Sequence, residues 1–339
     1  MIQNILQSPQ YGFLRTNPVL GGNIIFLTLG GSYAYGTNVP TSDVDVRGVC
    51  HNTRQSLIGF TPFEQFIDNP TDTTIYSFNK LIHLLISCNP NTIEILGCKP
   101  EHYFMQTKTG TQLLANRKLF LSKRAVRSFM GYANAQLNRL QNNLARFTLQ
   151  QSEQEEHIKR SIDSAMLGFE DRYKSFKNGS IVLTTDISQK ADFDTEIFMD
   201  INLTHYPLRD FVSIWSEMSS IIKEYSKLNH RNKKKTDEKL DKHAMHLVRL
   251  YLMCLDILEK QEIITHRQQD LPLLMDIRNG KYRNQNGTYN AAFYDILHNL
   301  EKRLEYAKNN TVLPDKPNLK AIEAFVMAVN QQKLADTNS

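Results

Sequence analysis

The sequence predicts an α/β (α+β) protein, with a short mixed sheet backed by helices followed by a mostly helical remainder. Three observations carry this. Short β-rich apolar runs alternate with turn and helix signals up to about residue 115. From residue 122 onward apolar residues recur at helical spacing. Residues 179–202 break that period, where SIVLTT and EIFMDI read as two strands, a hairpin inserted among helices.

Each element has a local reason. Residues 23–29 (NIIFLTL) form a short β-rich run ending in Gly30-Gly31, which reads as a buried strand, with a turn or helix start over 32–35. Residues 44–49 alternate apolar and polar and read as a second strand; 72–76 (DTTIY) read as a third. Ser77 is an N-cap for a helix over 78–88 with Leu81, Leu84 and Leu85 on one face. Pro90 stops that helix, and another short one begins at Thr92. Helices are expected over 125–149, 153–176, 207–228, 235–260, 289–308 and 318–332. The change of pattern near 110–121 divides the chain into a domain over 1–115 and a helical domain over 116–339, with the hairpin near 179–202.

Composition narrows the class. At 41% hydrophobic and 22% charged residues, the chain can bury a core and is neither fibrous nor disordered. Its longest apolar runs fall far short of a membrane span, and residues 1–10 lack a secretory pattern, so no membrane partner is expected. Four cysteines without a CxxC pair point to a reducing cytoplasm, the host's if the chain is phage-encoded. The net charge of +5 is unevenly spread: residues 1–115 hold six basic and seven acidic residues, the remainder 34 and 28. Basic clusters lie at Arg117, Lys118, Lys123, Arg124 and Arg127, and at Arg231 and Lys233 to Lys235. Such clusters suit a polyanionic partner, or are a solvated helix surface.

The chemistry concentrates in LGGSYAYGTNVPTSDVDVRGV, residues 29–49. Gly30 and Gly31 let backbone N–H groups and the Ser32 hydroxyl approach phosphate oxygens. Asp43 and Asp45, at i and i+2 of the expected strand, aim two carboxylates at one point, an arrangement that calls for a cation between them. A phosphate loop beside a pair of oxygen ligands suits Mg²⁺, or Mn²⁺, and nucleotidyl transfer.

These residues resemble a known family. A hydrophobic residue, Gly-Gly-Ser, a ten-residue interval and then Asp-Val-Asp-Val is the signature of the DNA polymerase beta-like nucleotidyltransferase superfamily. GSYAYGT…SDVDVRG resembles one branch more closely, the RNA-repair-associated predicted nucleotidyltransferases of bacteria and phages. DTTIY leading to NKLIHLLISCNPNTIEIL, and KHAMHLVRLYLMCLDIL with the later LLMDIRNGKY, are similar to that branch too. The resemblance implies that Gly31 and Ser32 hold the β- and γ-phosphates of an NTP, and that Asp43 and Asp45 ligate Mg²⁺. It also implies a third carboxylate from a later strand. Asp72 is the first choice, 27 residues after Asp45; Asp68 is the alternative, disfavoured by the turn pair Asn69-Pro70.

Other candidates carry two readings each. Arg47 touches a phosphate or the acceptor strand, or pairs with a carboxylate. Glu94 serves the site or is a helix-surface acid. Lys242, His246 and Arg249, at i, i+4 and i+7, bind triphosphate or base, or form an exposed stripe. Arg278 adds to the phosphate site or marks a helix end before Gly280. Tyr132, Gln136 and Arg139 hold single-stranded nucleic acid or pack. The expected activity is Mg²⁺-dependent transfer of an NMP from an NTP to an acceptor hydroxyl, an RNA 3′ end, tRNA included. The alternatives are a protein hydroxyl as acceptor and an inactive nucleotide- or RNA-binding module. Which NTP is used and the oligomeric state are not legible.

Overall fold

The computed structural model describes residues 6–148, 151–166, 168–189, 195–229, 237–284 and 287–336. Two compact units result: one of residues 1–137, 238–284 and 289–339, the other of 138–237 and 285–288. The division differs from the expected boundary at 115, because the chain leaves the first unit and returns to it. The return brings the helix Asp237–Leu255 into the same unit as the sheet.

The first unit is built on a five-stranded mixed sheet. Its strands are β1 (Ile24–Leu29), β2 (Val46–Cys50), β3 (Gln65–Asp68), β4 (Thr73–Ser77) and β5 (Tyr103–Gln106), in the order β3-β4-β2-β1-β5. β1 runs antiparallel to β2 and β5, β2 parallel to β4, and β3 antiparallel to β4. Every residue of β1 is buried, as its run of apolar residues, interrupted only by Thr28, demands of a strand covered on both faces. Tyr11, Leu14 and Leu20 pack with Leu27, Val46 and Ile75 in one core cluster. The helix Phe78–Ile86 buries Phe78, Leu81, Ile82 and Leu85, and the Ser77 hydroxyl accepts from the Lys80 N–H, as its N-cap position predicts.

Two boundaries differ from expectation in ways that matter for the site. β2 begins at Val46, not Val44, because its ladder starts where Leu29 and Thr73 stand on either side. Asp43 and Asp45 therefore precede the strand. Pro90, read as a stop, also opens the next helix, Pro90–Ile93, with Asn89 as its cap.

The helix Asp237–Leu255 is buried along most of its length, including Leu240, Ala244, Leu247, Val248, Tyr251 and Met253. It passes into a π-helical turn, Asp256–Lys260. Below it, Arg267 is buried against Asp256 and Asp270. All four cysteines are free.

The second unit contains the expected hairpin: β6 (Ile181–Ile187) and β7 (Thr195–Ile201) pair antiparallel from Ile181 opposite Ile201. Its inward face packs Ile181 and Leu183 on Ile158, Ile162, Met166, Phe169, Ile214 and Met218. Residues 138–237 hold 15 basic and 15 acidic residues, so the basic excess read in the helical remainder does not reside in this unit. Among the described residues no helix is long and apolar enough to cross a membrane.

Candidate active site

The sheet topology gathers the chemistry at one edge. β1 ends at Leu29 opposite Val46, and Val46 pairs with Thr73. The C-terminal end of β1 and the N-terminal ends of β2 and β4 thus lie in one row. The ladder continues one step further, the Gly30 N–H donating to the Asp45 carbonyl at 2.9 Å and the Val46 N–H to the Asp72 carbonyl at 3.2 Å. Register alone therefore sets Gly30-Gly31-Ser32, Asp45 and Asp72 side by side.

The side chains meet there. The Asp45 and Asp72 carboxyl groups lie close enough to interact by a hydrogen bond. Burial and the bond to Asp72 push Asp45 up to about 7, while the bond from Asp45 and the Arg47 guanidinium hold Asp72 below its ordinary value. Arg47 donates to Asp72 Oδ1 at 3.1 Å, to Asp45 Oδ1 at 3.4 Å and to the Asp72 carbonyl at 2.5 Å. Arg47 thus pairs with both carboxylates. Asp72 has a φ of 43°, a left-handed conformation that Asp tolerates better than most residues.

Asp45 fits only because residue 31 is glycine: a Cβ there would lie 1.6 Å from Asp45 Oδ2, and Gly31 has a φ of 53°. Gly31 opens the short helix Gly31–Tyr35, which carries the buried Ser32. Gly31, Ser32, Tyr35 and Asp45 line a cleft with Lys242, His246 and Arg249, and with Asn91, Tyr132 and Gln136. Tyr132 accepts from Asn89 Nδ2 at 3.1 Å, and Gln136 bonds His243 at 2.9 Å. The side chain of Arg139, like Arg231 and Lys233 to Lys235, lies outside the described residues.

Residues 10–160 match the RNA repair pathway DNA polymerase beta family (RlaP). That match points to a nucleotidyltransferase-type enzyme and covers the whole carboxylate edge. No curated protein and no solved structure matches the chain. The cleft wall formed by Lys242, His246 and Arg249 lies beyond the segment matched to the RlaP family.

The three residues of that wall differ in character. Lys242 is its cation, close enough to Asp45 and Asp72 to favour their charged forms. His246 is half-buried, and loss of solvation together with neighbouring cations drives its pKa well below the usual range, so it is neutral; its Nδ1 has no hydrogen-bond partner. Arg249 is buried and paired with Glu94. The expected basic stripe is therefore one cation, one neutral imidazole and one compensated guanidinium. Arg278 ends the helix Leu271–Arg278 before Gly280, whose φ is 77°, and is absent from the cleft lining.

Asp43 is exposed, and the cleft lining includes Asp45 but not Asp43. The expected grouping of Asp43 with Asp45 assumed a strand at both positions. The grouping built by the sheet is Asp45 with Asp72. Asp68 does other work: its Oδ2 accepts from the Thr71 N–H at 3.1 Å and hydroxyl at 2.7 Å, closing the β3–β4 turn. Asp68→Ala should lower stability by about 1 kcal/mol and leave transfer activity within about twofold of wild type. Thermal melts and a turnover assay on the same preparation check this.

Proposed function

We propose that the protein is a Mg²⁺-dependent nucleotidyltransferase that moves an NMP from an NTP to the 3′ hydroxyl of an RNA, tRNA included. The observation that carries this is the contact between the Asp45 and Asp72 carboxyls at the sheet edge, beside the Gly31-Ser32 turn and across from Lys242. The donor set suits a hard divalent cation: carboxylate oxygens only, from the residues that lead into two adjacent strands. Asp45 and Asp72 would hold Mg²⁺ or Mn²⁺, with Asp43, two residues before Asp45 and exposed, as the further oxygen ligand the resemblance implies. The metal would supply charge neutralisation at the triphosphate and acidify the acceptor hydroxyl.

The protein's own groups account for the rest. The Gly31-Ser32 turn and Lys242 hold the phosphates, and neutral His246 offers a hydrogen bond without adding charge. Arg47 keeps the two carboxylates oriented. The acceptor oxygen attacks the α-phosphorus, the bond to the β-phosphate oxygen breaks, and pyrophosphate leaves. Incubation with each α-labelled NTP, Mg²⁺ and either total RNA or protein extract tests the reading. Label at RNA 3′ ends is expected; label on protein, or none, overturns it.

RNA as acceptor is supported by the matched family's description and by the run 117–127. This run contains five Lys/Arg and no acid, and belongs to the unit that holds the site. Within it, Arg124 donates to the Ile86 carbonyl and Lys123 pairs with Asp315, whereas Arg117, Lys118 and Arg127 are exposed. Changing those three to Ala should flatten the log–log salt dependence of RNA affinity by about two units, at about 0.7 per phosphate contact on a single strand. NTP binding should hold. Filter binding over a salt series measures both, and an unchanged slope would make the run a solvated surface.

A further inference from the structure

Three walls of the cleft come from distant parts of the sequence: the Gly31–Tyr35 turn with Ser32, the helix Pro90–Ile93 with Asn91, and the helix Asp237–Leu255 with Lys242 and His246. One buried cluster ties all three together. Glu94, just after the second wall, is 6% exposed. The Tyr35 hydroxyl, from the first wall, lies 2.8 Å from both Glu94 oxygens and donates into that carboxylate. Arg249, from the third, donates from Nη1 to Glu94 Oε2 at 3.1 Å, and its guanidinium lies 3.7 Å from the centroid of the Tyr35 ring. The loop after the π-helical turn seals the cluster, the Thr265 hydroxyl donating to the Glu94 carbonyl and the Arg267 N–H to the Tyr35 carbonyl at 3.0 Å.

A buried ion pair gains little stability over an apolar replacement, but it fixes geometry. Here Arg249 reaches Glu94 through Nη1 while stacked on Tyr35, and Tyr35 donates to the same carboxylate, so each of the three side chains holds the other two in place. Tyr35 is three residues from Ser32, Glu94 three from Asn91, and Arg249 three from His246 and two helical turns from Lys242.

We propose that Tyr35, Glu94 and Arg249 are positioning residues that hold Lys242 and His246 at the distance from the Gly31-Ser32 turn that a polyphosphate requires. Arg249, although it lines the cleft, is not a phosphate ligand. This rests on the nucleotidyltransferase reading and assigns to its site a rigid, preassembled polyphosphate cradle.

The sign of one substitution separates this from a direct role. Glu94→Gln removes a negative charge beside a polyanion site and frees Arg249 from its partner. If field strength or direct contact by Arg249 governed binding, the variant would bind polyphosphate more tightly. If the cluster sets spacing, it binds more weakly.

The experiment is calorimetric titration of the full chain with inorganic tripolyphosphate and Mg²⁺, a probe that carries no base. Lys242→Ala is the reference, expected to weaken binding roughly ten- to a hundredfold as one charged hydrogen bond is lost. Glu94→Gln and Arg249→Met should each weaken it about tenfold, and Tyr35→Phe, which keeps the stacked ring, by a few fold. The double variant Glu94→Gln/Arg249→Met leaves no buried charge unpaired, so its thermal midpoint should recover towards wild type while its Kd stays raised. Recovery of both would make the pair merely structural and overturn the proposal, as would unchanged or tighter binding in Glu94→Gln. If Glu94→Gln does not fold, Tyr35→Phe decides: wild-type affinity there overturns it as well. A wild-type chain that binds no tripolyphosphate overturns the nucleotidyltransferase reading, and this inference with it.

Discussion

Asp45→Asn and Asp72→Asn should each lower nucleotidyl transfer by about three orders of magnitude, the scale of removing one preorganised electrostatic partner of the transition state. Both keep the shape of the side chain and remove a charged oxygen ligand. They should differ in stability. Asp45 is held up to about 7, first by burial and then by Asp72. A carboxyl raised above its unfolded value takes up a proton on folding. Its contribution is therefore fully present at acid pH and is lost as pH rises from about 4 through about 7. Asn cannot ionise, and its amide donates to Asp72 in place of the carboxyl proton. In chelator at pH 7.5, Asp45→Asn should thus melt higher than wild type, by about 2–4 °C for each kcal/mol released, and the difference should shrink towards pH 4. Asp72→Asn should gain no such advantage, because Asp72 is held low and its change to an amide takes the negative charge from the nearer carboxylate partner of Arg47. Full activity in Asp45→Asn would remove the carboxylate pair from the chemistry, whatever the melts show.

Much of this site was legible in the sequence because its parts are local. A strand, Gly-Gly-Ser and an acidic pair lie within some twenty residues, and the spacing of Lys242, His246 and Arg249 requires only a helical period. What the sequence hid is long-range. Asp72 was named as the third carboxylate only through the family resemblance; it joins Asp45 through the parallel register of β2 and β4, which no local pattern encodes. The same register starts β2 at Val46 and leaves Asp43 outside the cleft lining. β3 and β5 were missed because each is four residues long, half-exposed and at an edge. Glu94 and Arg249 are 155 residues apart, so an exposed stripe and a helix-surface acid were reasonable readings of what is one buried pair. The unit boundaries were hidden because the chain returns to the first unit at 238, and pattern changes along the sequence cannot report a return.

Gly31 is the position of the other large effect: Gly31→Ala should abolish both polyphosphate binding and transfer while the chain still folds. Two penalties coincide at this position. Its φ of 53° is left-handed, which costs a residue with a Cβ about 1–2 kcal/mol. The new methyl would also stand 1.6 Å from Asp45 Oδ2 and 2.6 Å from its Cγ, so the carboxyl group must move. Asp45 has little freedom to do so without leaving Asp72 and Arg47, and either departure dismantles the carboxylate edge. Gly36→Ala separates the two penalties. Gly36 has a φ of 80°, and its methyl would meet the far end of the His266 ring at 2.7 Å. Both variants should therefore lose stability, by about 1–3 kcal/mol from the backbone strain. Only Gly31→Ala should lose tripolyphosphate binding and turnover. Thermal melts, calorimetry and the labelled-NTP assay on the two proteins give the comparison. Equal activity in both would mean that the close approach of Gly31 to Asp45 has no part in the chemistry.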